Sequence, residues 1–561
     1  MHERKLNDHG LHELDRDLDR HIATANLLQE ERLVAISHVL HSFEDEISSL
    51  PSGDARSEGI GSKLIDGLHF AVLWCFKHCP SANERPELSF KPTIARAGRD
   101  LLQMASQYND VCDLMSMMHR ELGAGVVDSN GIIHVSVGRP DALLVLMAGR
   151  LTMRTAAPEA RADIERAANC FSRERFREAA DVRRDGRRAI KYHVNRRLFD
   201  EVSVCQRAIL AHSWDLDETW DLGGYTVRQF RDFWVALTSL AWIHSEACSA
   251  TGSNADVRDS VLLFKTRDRW ASDISKYAGL NGAVAEGILK DLTFDPSLYG
   301  AGKPEPSLQC QPFIPLSANL LIVSGWLVRL TSPEAVLWHL LSIIRPTLHG
   351  ELRNRKETFW RNGLIPKLRD HGLHASGPYG FHCGSEGSDL DLLIVDEARS
   401  FAIATELKWF KPAEDVKDSQ RDEKEISKGT QQAALALKWL QSAPDDLANR
   451  SGLAKDTLSR LDYRAMVLSK NTLGTGSSIA GVPVVNEPLL DCTLGHPHRK
   501  SLEALYRVAE DRRYLPQLGV HFIARNIVSS FGGVRFIGTD FGAEFLRPWD
   551  PSIDLNSEGL N

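Results

Sequence analysis

The chain has 561 residues, 43% hydrophobic and 25% charged, with a formal net charge of −8. That length buries sizeable cores and predicts an ordinary soluble globular protein of two or three domains. The nine cysteines lack the paired C-x-x-C spacing of a zinc site, and their odd number in a chain of this length argues against a disulfide framework; the net charge neither indicates nor excludes a nucleic-acid partner, because a basic cleft can sit in an acidic protein.

From the start to about residue 250, apolar positions recur at three- and four-residue spacing, which predicts a mostly α-helical region over 1–250. The start, MHERKLNDHG, shows no apolar signal segment behind its charges. The longest nearly apolar runs, 67–76 and 318–328, are shorter than the roughly 18 residues that span a bilayer. A cytoplasmic location and no membrane contact are therefore expected. In WCFKHC, Cys75, His78 and Cys79 cluster, and their spacing suits one face of a buried helix better than a metal site. The basic run 172–197 holds ten Arg or Lys against four Asp or Glu. It reads either as a phosphate-contacting surface or as a solvated helix face on which Glu174 and Glu178 pair internally. Tyr225–Ala247 is the clearest helix: Thr226 and Gln229 match a capping box, and Phe230, Phe233, Trp234, Leu237, Leu240 and Ala241 form one stripe. His244 lies beside that stripe and reads as a hydrogen-bonded core histidine. No fixed-period repeat is present.

The polar stretches 251–260 and 298–307 look like joints, with a small helical connector expected over 251–345. GAGK at 300–303 lacks the first glycine of a phosphate loop and has Pro304 where Ser or Thr should follow, so that reading is rejected. After about 345 the pattern changes. A charged amphipathic helix (350–372) precedes two strand-like segments, a helix (426–440), a third strand (463–469) with the Gly-rich turn 473–478 after it, and a β-rich ending. This order predicts an α/β domain with a mixed central sheet over 346–545, followed by a tail at 546–561.

Within that domain, SDLDLLIVDEARSFAIATELKWF (388–410) places acids and a lysine at the ends of apolar segments. In extended chain, alternation sends Ala402, Ala404, Glu406, Lys408 and Phe410 to one face. If the segments pair as a hairpin around DEARS, Asp391 comes close to Glu406, and two carboxylates meet one ammonium at a sheet edge. Such a pair suits Mg²⁺ or Mn²⁺, a hard ion that takes oxygen ligands and keeps several waters. The plainer alternative is an exposed ion pair between Glu406 and Lys408, with Asp389 and Asp391 capping a turn.

Asp391, followed after fourteen residues by Glu406-Leu407-Lys408, resembles the D…(D/E)-x-K signature of the PD-(D/E)XK nuclease superfamily. The resemblance covers roughly 350–490, and Leu390 stands where that pattern often has proline. It implies a restriction-endonuclease-like fold in which Asp391 and Glu406 hold Mg²⁺ and Lys408 positions or activates water. It further implies that Glu357 or Glu351 supplies another acid, and that Gln432 supports the metal site or the substrate. Arg353, Arg355, Lys356, Arg361, Lys367 and Arg369 would steer phosphate into the cleft. Asp389 stays open, as a second metal ligand or a turn residue.

The expected function is thus a metal-dependent nuclease acting on nucleic acid, DNA rather than RNA, in bacterial defence or DNA processing. The helical region would serve regulation, a protein partner or homo-oligomer formation. Two rivals stand beside it. GSEGSDLDLLIV also resembles the G-S…D-x-D motif of polymerase-β-like nucleotidyltransferases, with Asp389 and Asp391 as the metal pair, although Ser385 lies only four residues before Asp389. The other rival is a catalytically silent scaffold.

Overall fold

The computed structural model describes residues 4–5, 8–50, 55–81, 91–121, 123–137, 176, 180–185, 189–211, 214–251, 258–298, 307–383, 385–410, 416–470, 478–479, 481–495, 501–511, 519–520 and 522–546. Contacts divide the chain into two compact units: 1–136, 156–350 and 527–538 form the first, and 137–155, 351–526 and 539–561 the second.

The first unit is built mainly of helices, including Arg32–Ser49, Ala55–His78, Pro92–His119 and Val227–Thr251. The capping box forms as its residues predict. The Thr226 N–H donates to Gln229 Oε1 at 2.8 Å, and the Gln229 N–H donates to Thr226 Oγ1 at 3.2 Å. All six stripe residues are buried, yet so are Val235, Ala236, Thr238 and Ile243, so this helix is enclosed on every side rather than lying on a surface. His244 is buried, within 2.9 Å of the Tyr192 hydroxyl and 3.2 Å of the Val261 carbonyl, and burial pushes its pKa down to about 4. Cys75, on the helix Ala55–His78, and Cys79, just past its end, are both buried. No helix among the described residues is long and apolar enough to cross a membrane.

Three expectations change. The connector is not purely helical: Leu263–Thr266, Leu320–Val323 and Ile314–Pro315 form a three-stranded sheet among its helices. Strands this short leave too little alternation to read, and 251–345 clusters with the first unit. In the basic run, Arg183–Asp185 and Ala189–Lys191 pair as a hairpin and not as a helix face, while Glu174, Glu178 and the GAGK segment lie outside the described residues. The C-terminal strand Val534–Phe545 pairs in parallel with Ile133–Val137, Phe536 opposite Ile133, which draws 527–538 into the first unit. Sequence shows that a segment is a strand but not which distant strand it joins.

The second unit holds a six-stranded mixed sheet. Its order is Ser478–Ile479, Val482–Asn486, Asp462–Ser469, Phe401–Lys408, Leu392–Asp396 and His374–Ser376. Leu392–Asp396 and Phe401–Lys408 form the expected antiparallel hairpin, Leu392 opposite Thr405 and Asp396 opposite Phe401. Its turn is closed by Asp396, whose carboxylate accepts from the Arg399 N–H at 3.3 Å, and by Ser400 in the left-handed region at φ +51°. Phe401–Lys408 then runs parallel to Asp462–Ser469, so it is a central strand, apolar on both faces.

The helix Val416–Ser442 covers one sheet face. Ala436, Trp439 and Leu440 pack on Leu393, Val395, Ala402 and Ala404, while Ile426 and Ala433 pack on Ala465, Val467 and Val484. These helix positions recur at three- and four-residue intervals, the spacing of one helical stripe. A separate two-stranded hairpin, Tyr379–Cys383 with Glu386–Leu390, places Leu390 and Phe381 in the same core.

Candidate active site

The hairpin register decides the site. With Leu392 opposite Thr405, Asp391 stands level with Glu406 one step beyond the last registered pair. Asp391 Oδ2 accepts the Leu407 N–H at 2.9 Å, which ties the carboxylate across the hairpin. Lys408, two residues on and on the face of Glu406, donates from Nζ to Glu406 Oε1 at 2.8 Å. From the helix Pro346–Asp370, Glu357 Oε1 accepts the Trp409 N–H at 3.4 Å.

Burial separates this cluster from a surface ion pair. Glu406 is 4% exposed, and the side chains of Asp391 and Lys408 are 16% and 13% exposed. The plain alternative of an exposed Glu406–Lys408 pair therefore does not hold. One helical residue makes the approach close enough: a Cβ on Gly429 would stand 2.9 Å from Lys408 Cε and 3.5 Å from Glu406 Cγ. A glycine inside a helix costs about 1 kcal/mol relative to alanine, and here it admits the lysine stem under the helix.

The charges conflict. Burial and then the Asp391 charge push Glu406 up to about 8, against the pull of Lys408. Burial also raises Asp391, opposed by the Leu407 N–H and Lys408, and raises Glu357, opposed first by Lys408. Burial works against the Lys408 ammonium too, but the charge and hydrogen bond of Glu406, then Glu357 and Asp391, hold its pKa above that of an ordinary lysine. Three desolvated carboxylates thus share one firmly charged ammonium. Carboxylates kept close at such a cost characterise sites that take up a cation or a proton.

The other expected residues divide. Gln432 lies one turn beyond Gly429 on the same helix, and its Oε1 is buried without a hydrogen-bond partner. Glu351 is exposed, so of the two candidates Glu357 joins the cluster. Asp389 is not a turn residue: it sits exposed in Glu386–Leu390 opposite Gly380, and its charge adds to the rise of Asp391 and Glu406. Of the six basic residues, Arg353, Arg355 and Arg369 are exposed, and Arg369 donates to the Ala375 carbonyl at 2.9 Å. Lys356 is buried with its ammonium 5.4 Å from the Trp409 ring centre. Lys367 does not steer phosphate as expected, because it pairs with Glu487 at 3.2 Å and Asp491 at 2.6 Å. Arg361 alone of the six is buried toward Asp391.

Sequence reasoning missed Gly429 and the ion-pair group in which Glu487 accepts from Trp360, Lys367 and Lys470. The signal for Gly429 was a glycine in a helical pattern, KGTQQ, which marks a close approach. The nucleotidyltransferase rival loses its geometry. Ser385 lies in the turn of a β-hairpin, with strand and no helix between it and Asp389.

The donor set fits a hard divalent ion in one respect and limits it in another. Asp391 and Glu406 offer only oxygen. Among the described residues no group of three or more His, Cys, Asp or Glu side chains is spaced to hold a metal ion. Two carboxylates completed by waters are the arrangement Mg²⁺ accepts and zinc does not. No family model, curated protein or solved structure matches this chain.

Proposed function

We propose that the second unit is a metal-dependent nuclease with a restriction-endonuclease-like core, most at home on DNA. The observation that carries the reading is the meeting of Asp391, Glu406 and Lys408 across one buried hairpin, which the D…E-x-K order anticipates. Asp391 and Glu406 would hold Mg²⁺ or Mn²⁺, which when bound polarises a phosphoryl oxygen and lowers the pKa of water.

The remaining work falls to the chain. Lys408 keeps its proton, so it acts as a charged donor that positions the attacking water and offsets charge growing on the phosphate; it is not the base. The Leu407 N–H fixes the Asp391 carboxylate, and Glu357 keeps the acidic cluster against the Trp409 backbone. Hydrolysis forms one P–O bond from water and breaks one P–O ester bond, without a covalent enzyme intermediate.

The test incubates the purified chain with supercoiled, linear and single-stranded DNA and with RNA, with and without Mg²⁺ or Mn²⁺. Asp391→Ala and Lys408→Ala run beside it. Metal-dependent cutting that both variants lose supports the reading, and cutting that survives both refutes the site.

A further inference from the structure

Arg361 follows Glu357 by one helical turn, so the two leave the same face of the helix Pro346–Asp370. It is 9% exposed. Its Nη1 lies 3.9 Å from Asp391 Oδ1, beyond hydrogen-bond reach, and its Nε is buried with no hydrogen-bond partner. Asp391 reaches it only as a long ion pair through Oδ1, while Oδ2 accepts the Leu407 N–H.

A guanidinium presents five donors in a rigid fork and never loses its charge. Buried donors without acceptors are destabilising, so the position makes sense when something else supplies the acceptor. What a charged fork of N–H donors lacks is an anionic oxygen acceptor, and a phosphodiester presents two non-bridging oxygens that match the fork. The basic neighbours Lys367 and Lys470 are already engaged by Glu487.

We infer that Arg361 is a substrate-binding residue that donates its buried Nε–H to a non-bridging oxygen of the phosphodiester under attack. The identity of that substrate rests on the nuclease reading, whereas the anion site itself does not.

Two measurements on the full chain keep those apart. In thermal unfolding with Mg²⁺, inorganic phosphate raises the Tm of the wild type and leaves Arg361→Met unmoved, while Arg361→Met without phosphate melts no lower than the wild type. A variant that gains from phosphate as the wild type does, a wild type that gains nothing, or a variant that melts lower without phosphate overturns the anion site; the last marks a merely structural arginine. In single-turnover cleavage with Mg²⁺, Arg361→Met slows cutting about 10²-fold, the scale of one lost transition-state donor, and Arg361→Lys recovers part of it. Cutting at the wild-type rate by Arg361→Met sinks the inference and leaves the nuclease reading standing. A wild type that binds phosphate at Arg361 but cuts no nucleic acid sinks the nuclease reading and leaves the anion site.

Discussion

Glu44 in the first unit and Glu406 in the second are both 4% exposed, yet they keep different company. Glu44 accepts from the Ser324 hydroxyl at 2.5 Å and from the Trp326 N–H at 3.2 Å, at the start of the short helix Gly325–Leu330. Both hydrogen-bond donors are neutral, and the Arg329 charge acts on it only as a lesser influence. Glu406 has the Lys408 ammonium on one side and the Asp391 carboxylate level with it on the neighbouring strand. Equal burial therefore does not mean equal purpose. A buried acid met by neutral donors holds a fold together, whereas one set against a like charge carries a conflict that a ligand resolves.

The sharpest way to break this contrast is to remove the conflict. Asp391→Asn keeps an oxygen for the Leu407 N–H but deletes a charge, so it should cut metal-dependent cleavage about 10³-fold. Stability toward urea should stay level or rise, because the like-charge repulsion goes with it. Glu44→Ala should do the reverse. It strands a hydroxyl and an N–H, each worth about 1–3 kcal/mol when left unmet in the interior, and so lowers the urea midpoint while cleavage per folded molecule stays at the wild-type rate. Equal stability losses in the two variants would erase the distinction between the two acids.

What was legible in the sequence follows the same local logic. Alternation and the DEARS turn placed Asp391 level with Glu406, and the Thr226–Gln229 cap was equally readable, because each depends on residues close in sequence; the apolar stripe showed that His244 is buried but not that Tyr192 and Val261 meet it. Pairings across distance were not. Lys367 meets Glu487 and Asp491 more than a hundred residues away, so it was misread as a free cation facing phosphate. The partner of Val534–Phe545 lies in a strand near residue 135. The burial of the site was also hidden, since it comes from the helix Val416–Ser442 lying across the sheet and not from the acids themselves.

Gly429 tests that cover. In Gly429→Ala the new Cβ meets the end of a flexible lysine, so Lys408 moves and the backbone does not. Alanine gains about 1 kcal/mol of helix propensity over glycine, which should keep the urea midpoint at or above the wild-type value. The displaced ammonium should slow single-turnover cleavage about 10-fold, a fraction of what is lost when a site lies 1 Å out of place. Unchanged cleavage would mean that the lysine need not sit where the glycine allows it.

The smallest effect, on pH dependence, separates the two acids most cleanly. Burial raises Glu44 from 4.5 to about 7, against the pull of the Ser324 hydroxyl, and raises Glu406 from 4.5 to about 8. In each case the folded chain holds a proton that the unfolded chain has already released, so the folded state binds more protons and stability falls as pH rises. The loss begins above the unfolded pKa near 4.5 and ends at the folded pKa, about 7 for Glu44 and about 8 for Glu406. Glu44→Gln should therefore flatten the lower part of a urea-midpoint profile taken from about pH 5 to about pH 9. Mg²⁺ should act on the upper part alone, stabilising more as pH approaches 8, because a cation competes with the proton on Glu406 and has no access to the neutral donors around Glu44. A metal effect that is independent of pH, or that disappears in Glu44→Gln, would assign the cation to some group other than Glu406.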